Sequence, residues 1–167
     1  MLGLNWGASV SERSAPLPCD ELVPEARTRC DRAISVDAPP AVLFRWLCQL
    51  RVAPYSYDLF DNFGRRSPRT LTPGVEQLEV GARFMRIFSL RSFKADDHLT
   101  LRAPAVAVTY AVRPRGADLS RLVARVLFTA PGGRLGDALV GQALALGDLL
   151  MMRKQLLTLK ELAEHSV

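Results

Sequence analysis

The residues with the most capacity for chemistry lie in one stretch, Tyr55-Ser56-Tyr57-Asp58-Leu59-Phe60-Asp61-Asn62. Asp58, Asp61 and Asn62 stand three and four residues apart, so on a helix they share one side. Two carboxylates that close, held in a cleft, shift each other's pKa and can serve as acid and base. The same residues suit a structural role equally well. Ser56 can cap a short helix, acids favour its first turn, and Arg65, Arg66 or Arg69 can pair with them. Asp58 and Asp61 are therefore the candidate catalytic residues on one reading and helix-end charges on the other.

Other reactive types are sparse. His98 and His165 are the only histidines. Asp96-Asp97-His98 has ligand-type residues, but neighbours on a tight turn rarely converge on one ion, so a turn and no metal is expected. No Ser-His-Asp or Cys-His set, phosphate-binding glycine loop or dinucleotide fingerprint is visible, and no cofactor is expected. Cys19, Cys30 and Cys48 form no CxxC pair, which argues against zinc and thioredoxin-like chemistry and fits a reducing cytoplasm. Cys48 falls among apolar residues, where a buried inert thiol is the expectation.

A second group suits binding. Trp46, Tyr55, Tyr57, Tyr110, Leu144, Met151 and Met152 offer apolar walls with a few polar tips, the usual make-up of a small-molecule site. Taken singly, each is also an ordinary core residue. Gly141 and Gly147 favour a real cavity for the group, because glycine costs a helix interior about 0.5–1 kcal/mol and a close approach or a thinned wall would offset that.

These residues need elements to hold them. Arg134 to Glu164 has no proline, and Leu149, Met152, Leu156, Leu159 and Ala163 repeat at helical steps. Arg153, Lys154, Lys160, Glu161 and Glu164 fall opposite and should face water. In the first half, Leu139, Val140, Ala143, Leu144, Leu146, Leu150 and Met151 surround the helix, interrupted by Gln142 and Asp148. That half is expected to be covered on most sides, so the helix should begin deep and end at the surface.

Upstream, Arg29 to Val36 alternates as a first strand. Pro39-Pro40 opens a helix through Val42, Leu43, Trp46, Leu47 and Leu50, which should end before Pro54. A short second helix follows from Ser56 to Phe63, then a loop from Arg65 to Gly81. From Ala82 the period is two, with Met85, Ile87 and Ser89 alternating against Phe84, Arg86 and Phe88. Further strands run over Leu99–Leu101, Val106–Val112 and Leu122–Phe128, separated by turn chemistry. Arg86 and Arg125 sit within strands, and an outward, solvated face is expected for both. Strands grouped together with helices set apart from them are α+β.

The hydrophobic fraction of 49% and the charged fraction of 23% suit one domain with a sizeable core. The net charge of +5 is scattered, without the basic stripe that nucleic-acid binding needs, so no nucleic-acid partner is expected. The longest apolar stretch falls short of the ~18 residues of a membrane span. Residues 1–28 contain three prolines and isolated apolar residues and read as an irregular arm packed on a domain of residues 29–167. The first residues lack the pattern of a secretory signal.

Ala33-Ile34-Ser35-Val36-Asp37-Ala38-Pro39-Pro40, followed by Phe44-Arg45-Trp46-Leu47-Cys48-Gln49, resembles the first strand and helix of the START and birch-pollen-allergen-like (SRPBCC) superfamily of polyketide cyclases, dehydrases and lipid-transfer proteins. Trp6-Gly7-Ala8, Leu22-Val23-Pro24, Tyr55-Ser56-Tyr57-Asp58, Asp61-Asn62 and Val80-Gly81 resemble a bacterial subgroup of it. The resemblance implies a helix-grip fold, a curved antiparallel sheet wrapped around the long C-terminal helix, with a hydrophobic ligand between them. It brings no catalytic motif to carry over.

Three functions follow as expectations. The first is a cytoplasmic protein that binds a hydrophobic or amphipathic small molecule, with cyclase- or dehydratase-like proton transfer by Asp58, Asp61 or a cavity tyrosine. The second is a non-catalytic carrier or sensor. The third is an interaction or oligomerisation protein whose cavity its own side chains fill. An ionisable group buried in the wall of an open cavity favours the first, a purely apolar cavity the second, and a filled interior the third.

Overall fold

Period-two alternation fixes the faces of the sheet. A computed structural model describes residues 3–56, 66–129 and 134–167, with side chains from 140 onward in the last stretch. Among them, seven strands form one curved, unclosed sheet. In chain order they are β1 (Asn5–Trp6), β2 (Thr28–Val36), β3 (Arg83–Phe84), β4 (Phe88–Lys94), β5 (His98–Ala103), β6 (Val106–Pro114) and β7 (Ser120–Phe128). Their spatial order is β1-β2-β7-β6-β5-β4-β3, antiparallel except for the β1–β2 pair. The helices are α1 (Val10–Ser14), α2 (Pro18–Leu22), α3 (Pro40–Cys48, continued by a 3-10 turn over Gln49–Arg51) and α4 (Arg134–Glu164). The architecture is the α+β helix grip.

Register sorts the side chains. Cys30, Val126, Val108 and Leu101 stand in one row across four strands and join the core beneath α3 and α4. The adjacent row, Asp31, Arg125, Thr109 and Thr100, is buried on the opposite face. α3 begins at Pro40 and buries Leu43, Phe44, Trp46, Leu47 and Cys48 against the sheet and α4.

α4 runs along β2. Gly141 lies against Thr28, Asp148 pairs with Arg32, Lys160 reaches the Ser35 carbonyl and Glu164 accepts from the Asp37 amide. The lengths match: 23 helical steps rise about 35 Å and nine strand steps about 30 Å. The C-terminal half is the seated one, with Leu156, Leu159, Leu162 and Ala163 buried.

The expectation that the first half is covered on most sides is corrected. Val140, Leu146, Leu150 and Met151 are exposed, Leu150 at 62%. Packing against one strand covers one side of a helix, and apolar residues on the other sides stay open.

Residues 83–88 are a second correction. The alternation there belongs to a hairpin, with Phe84 opposite Phe88 and Met85-Arg86-Ile87 as its turn. Met85 and Arg86 both have positive φ, a turn conformation that alternation does not reveal.

Arg125 does lie on the face away from α4, but it is fully buried and not solvated. The N-terminal segment covers it, forming β1, α1 and α2 where an irregular arm is expected. Leu17, Cys19 and Val23 pack on Ala33, Ala107, Ala111, Val123 and Leu127. Arg125 makes five hydrogen bonds: Nε to Asp31, Nη1 to Asp20 and the Ala15 carbonyl, and Nη2 to the carbonyls of Glu12 and Arg13. Every N–H of the guanidinium is thereby used. Arg121 bonds Glu12 at 2.7 Å and holds its carboxyl down to about 2. Gly7 passes so close to β2 that a Cβ there would sit 2.2 Å from the Ala33 carbonyl oxygen. Arg125→Ala removes five buried hydrogen bonds and the central cation beneath the segment, and should cost about 3–5 kcal/mol in urea unfolding. A loss below about 1 kcal/mol would show that these bonds do not hold the segment down.

Candidate functional site

The gap opens on the side of α4 away from β2. There the sheet curves off towards β6 and the β3–β4 hairpin, and a cavity of about 720 Å3 remains. Val106, Val108 and Tyr110 of β6 and Val126 and Phe128 of β7 form its floor. Leu144, Gly147, Asp148, Met151, Met152 and Gln155 of α4 form its roof, with Met85–Phe88 of the hairpin as the far wall. Exposed Ile87, Val140 and Met151 stand at its rim.

The two helix glycines play different parts. A Cβ on Gly141 would meet Thr28 Oγ1 at 2.6 Å, so this glycine lets the helix approach β2. A Cβ on Gly147 would meet nothing within 4 Å, so its missing side chain is part of the cavity space.

Two polar pairs interrupt the apolar walls. Tyr110 donates to Gln155 Oε1 at 2.6 Å, and Gln155 Nε2 donates to the Pro54 carbonyl at 2.6 Å. Burial, reinforced by the nearby charge of Asp148, pushes the Tyr110 phenol well above its usual range. The other pair is Asp148 with Arg32. Asp148 Oδ2 accepts from Arg32 Nη2 at 2.7 Å, and the side chains are 7% and 0% exposed. Arg32 also donates to the carbonyls of Asp31 and Ala145, while its Nε has no partner among the described residues. Burial raises the Asp148 carboxyl to about 6, against the lowering pull of Arg32.

Of the residues expected at a binding site, Tyr110, Leu144, Met151 and Met152 line this cavity. Trp46 and Tyr55 lie elsewhere. Trp46 is buried beside Tyr55, edge to face at 6.1 Å, and its Nε1 donates to Ser166. Tyr55 borders a smaller hollow of about 310 Å3 with Arg66, Arg69 and Lys154, where Arg69 pairs with Glu161. Tyr57, Asp58 and Asp61, with most of the expected second helix, lie outside the described residues. Arg86 lies in the hairpin turn and lines the cavity.

Asp148, Arg32 and Gln155 were missed as site residues. The available signal was a single acid inside the apolar run of α4 and an arginine on the core-facing phase of β2. All three thiols are buried and raised, Cys19 and Cys30 to about 11 and Cys48 to about 12, all chiefly by burial. They are held as thiols at neutral pH and are poor nucleophiles. Among the described residues, no group of three or more His, Cys, Asp or Glu is placed to hold a metal, and no helix is long and apolar enough to cross a membrane.

A curved sheet gripping a long C-terminal helix over a cavity defines the class of architecture: this is the helix-grip fold. The KanY protein shares it at a TM-score of 0.54 and 14% identity, over 82% of this chain and 97% of that one. Protein MLL2253 from Mesorhizobium loti follows at 0.52 and 15%, over 82% and 98%. Protein NE0264 from Nitrosomonas europaea follows at 0.51 and 11%, over 83% and 96%. At these identities the likeness is one of fold. No family model and no curated protein matches the chain.

Asp148 gives a direct test of the site's electrostatics. Its folded pKa is raised, so the folded state binds this proton more tightly than the unfolded chain. Its contribution to stability is therefore unfavourable at neutral pH and improves as pH falls through about 6 towards 3.8. Carbon-13 NMR of the carboxyl should show titration near pH 6, moving higher still in Arg32→Met. Titration near 3.8 would show that Asp148 is solvated.

Proposed function

We propose that this protein binds a hydrophobic or amphipathic small molecule between β6–β7 and the first half of α4. The observation that carries the reading is the apolar cavity of about 720 Å3, within the range of small-molecule sites. A filled interior, which the oligomerisation reading needs, would leave no such space.

One observation favours chemistry over simple carriage. An ionisable carboxyl, Asp148, is buried in the cavity wall with its pKa brought close to neutral, where a group both gives and takes a proton readily. The second reading is accordingly cyclase- or dehydratase-like proton transfer, with Asp148 as the acid or base. Tyr110 suits that role less, because its proton is committed to Gln155 and its phenol is hard to ionise.

Gly147→Phe tests the binding site without disturbing the core, because the new ring enters open space. Titration with the fluorescent apolar probe phenylnaphthylamine should give saturable binding to the wild type. The variant should bind at least about tenfold more weakly, a loss that displacing the ligand readily accounts for, with an unchanged or higher melting temperature. Equal binding by both proteins would place the probe elsewhere and remove this reading.

A further inference from the structure

At the buried end of the cavity, around Asp148, Tyr110 and Gln155, the polar atoms on offer are mostly acceptors, and this restricts the ligand. Asp148 lines the cavity and is more than nine-tenths buried. Its Oδ2 is occupied by Arg32, but no hydrogen bond reaches Oδ1 among the described residues. Tyr110 spends its only proton on Gln155, which leaves the phenol oxygen a lone pair and no donor. Gln155 spends its amide on Pro54 and Met85. The one buried cation nearby, Arg32, is neutralised by Asp148 and lies behind it, outside the cavity lining. Arg86, the cation of the lining, stands on the exposed hairpin turn, so it is at the buried Asp148 end of the cavity that an anionic group would meet a carboxylate.

The pair is also poorly built as a purely structural element. Arg32 Nε is buried without a partner among the described residues. Replacing such a buried ion pair by apolar side chains is often neutral or stabilising, so it is weak evidence for a stability role. Its position at an apolar cavity wall gives it another use.

From this geometry we infer that Asp148 Oδ1 is the polar anchor of the cavity, and that the ligand is an apolar molecule bearing a neutral hydrogen-bond donor, a hydroxyl or phenol, directed at it. The inference rests on the cavity being the binding site and adds the class of ligand. Arg32 is a positioning residue. Its ion pair fixes the Asp148 rotamer and turns Oδ1 to the open side.

Matched probes test it. Naphthol and methoxynaphthalene have nearly the same apolar surface, but the methyl ether has no donor. Each is used to displace phenylnaphthylamine from the wild-type protein at about pH 8, where Asp148 is ionised and naphthol is not. A hydrogen bond to a charged acceptor should favour naphthol by about tenfold or more. The double variant Arg32→Met with Asp148→Leu removes both charges together and avoids leaving either one buried alone. In it the preference should fall to about onefold to twofold. Equal binding of the two compounds by the wild type, or an undiminished preference in the double variant, overturns the anchor while leaving the cavity reading intact. Failure of phenylnaphthylamine and both naphthalenes to bind the wild type overturns the cavity reading and the anchor with it.

Discussion

A nearly straight helix cannot follow a sheet that curves away from it. α4 is fastened along β2 at both ends, by Gly141 against Thr28 and by Lys160 and Glu164 at Ser35 and Asp37. Its C-terminal half finds further cover in α3, and that half is solidly packed. Its first half has β2 on one side and, on the other, only a sheet that is already turning away. The cavity is what this mismatch leaves, and no special loop is needed to create it.

The same constraint explains the polar groups. Along the seated half of α4, a charge facing the sheet would be buried among leucines. Along the overhanging half, Asp148 faces Arg32 across the margin of the cavity, where burial is nearly complete but one carboxylate oxygen remains unused among the described residues. The opposite face of the sheet solves its polar problem differently. There Arg125, Asp31 and Asp20 close on one another and on the backbone of the N-terminal segment, and every guanidinium proton is satisfied. Among the described residues, one face is locked and the other, on the α4 side, retains unmet hydrogen-bonding capacity.

Much of this architecture is legible in the residues. Cys30, Arg32, Ile34 and Val36 alternate as β2 does, Val106 to Val112 as β6 does, and the helical run from Arg134 to Glu164 is unbroken. What alternation cannot show is the hairpin at Met85–Ile87, because positive φ is a property of the turn and not of the hydropathy pattern. Nor can it show which apolar residues of α4 meet protein and which meet empty space, since Leu144 and Leu156 are alike as letters. Asp148 was visible as a break in an apolar run, but its partner lies 116 residues away, and only the fold brings them together. The carboxylates Asp58 and Asp61, prominent by spacing, stand outside the described residues.

The central claim is that the space beneath the first half of α4 is open and takes an apolar guest. Methionine methyl groups report on it directly, because Met85, Met151 and Met152, three of the four methionines, line the cavity. With carbon-13 methyl-labelled methionine, adding phenylnaphthylamine should shift those three resonances and produce contacts from the probe's ring protons to them. Unmoved methionine methyls with shifts confined to leucines around Leu159 and Leu162, or direct methyl contacts between Val108 and Leu144 across the gap in the free protein, would contradict it.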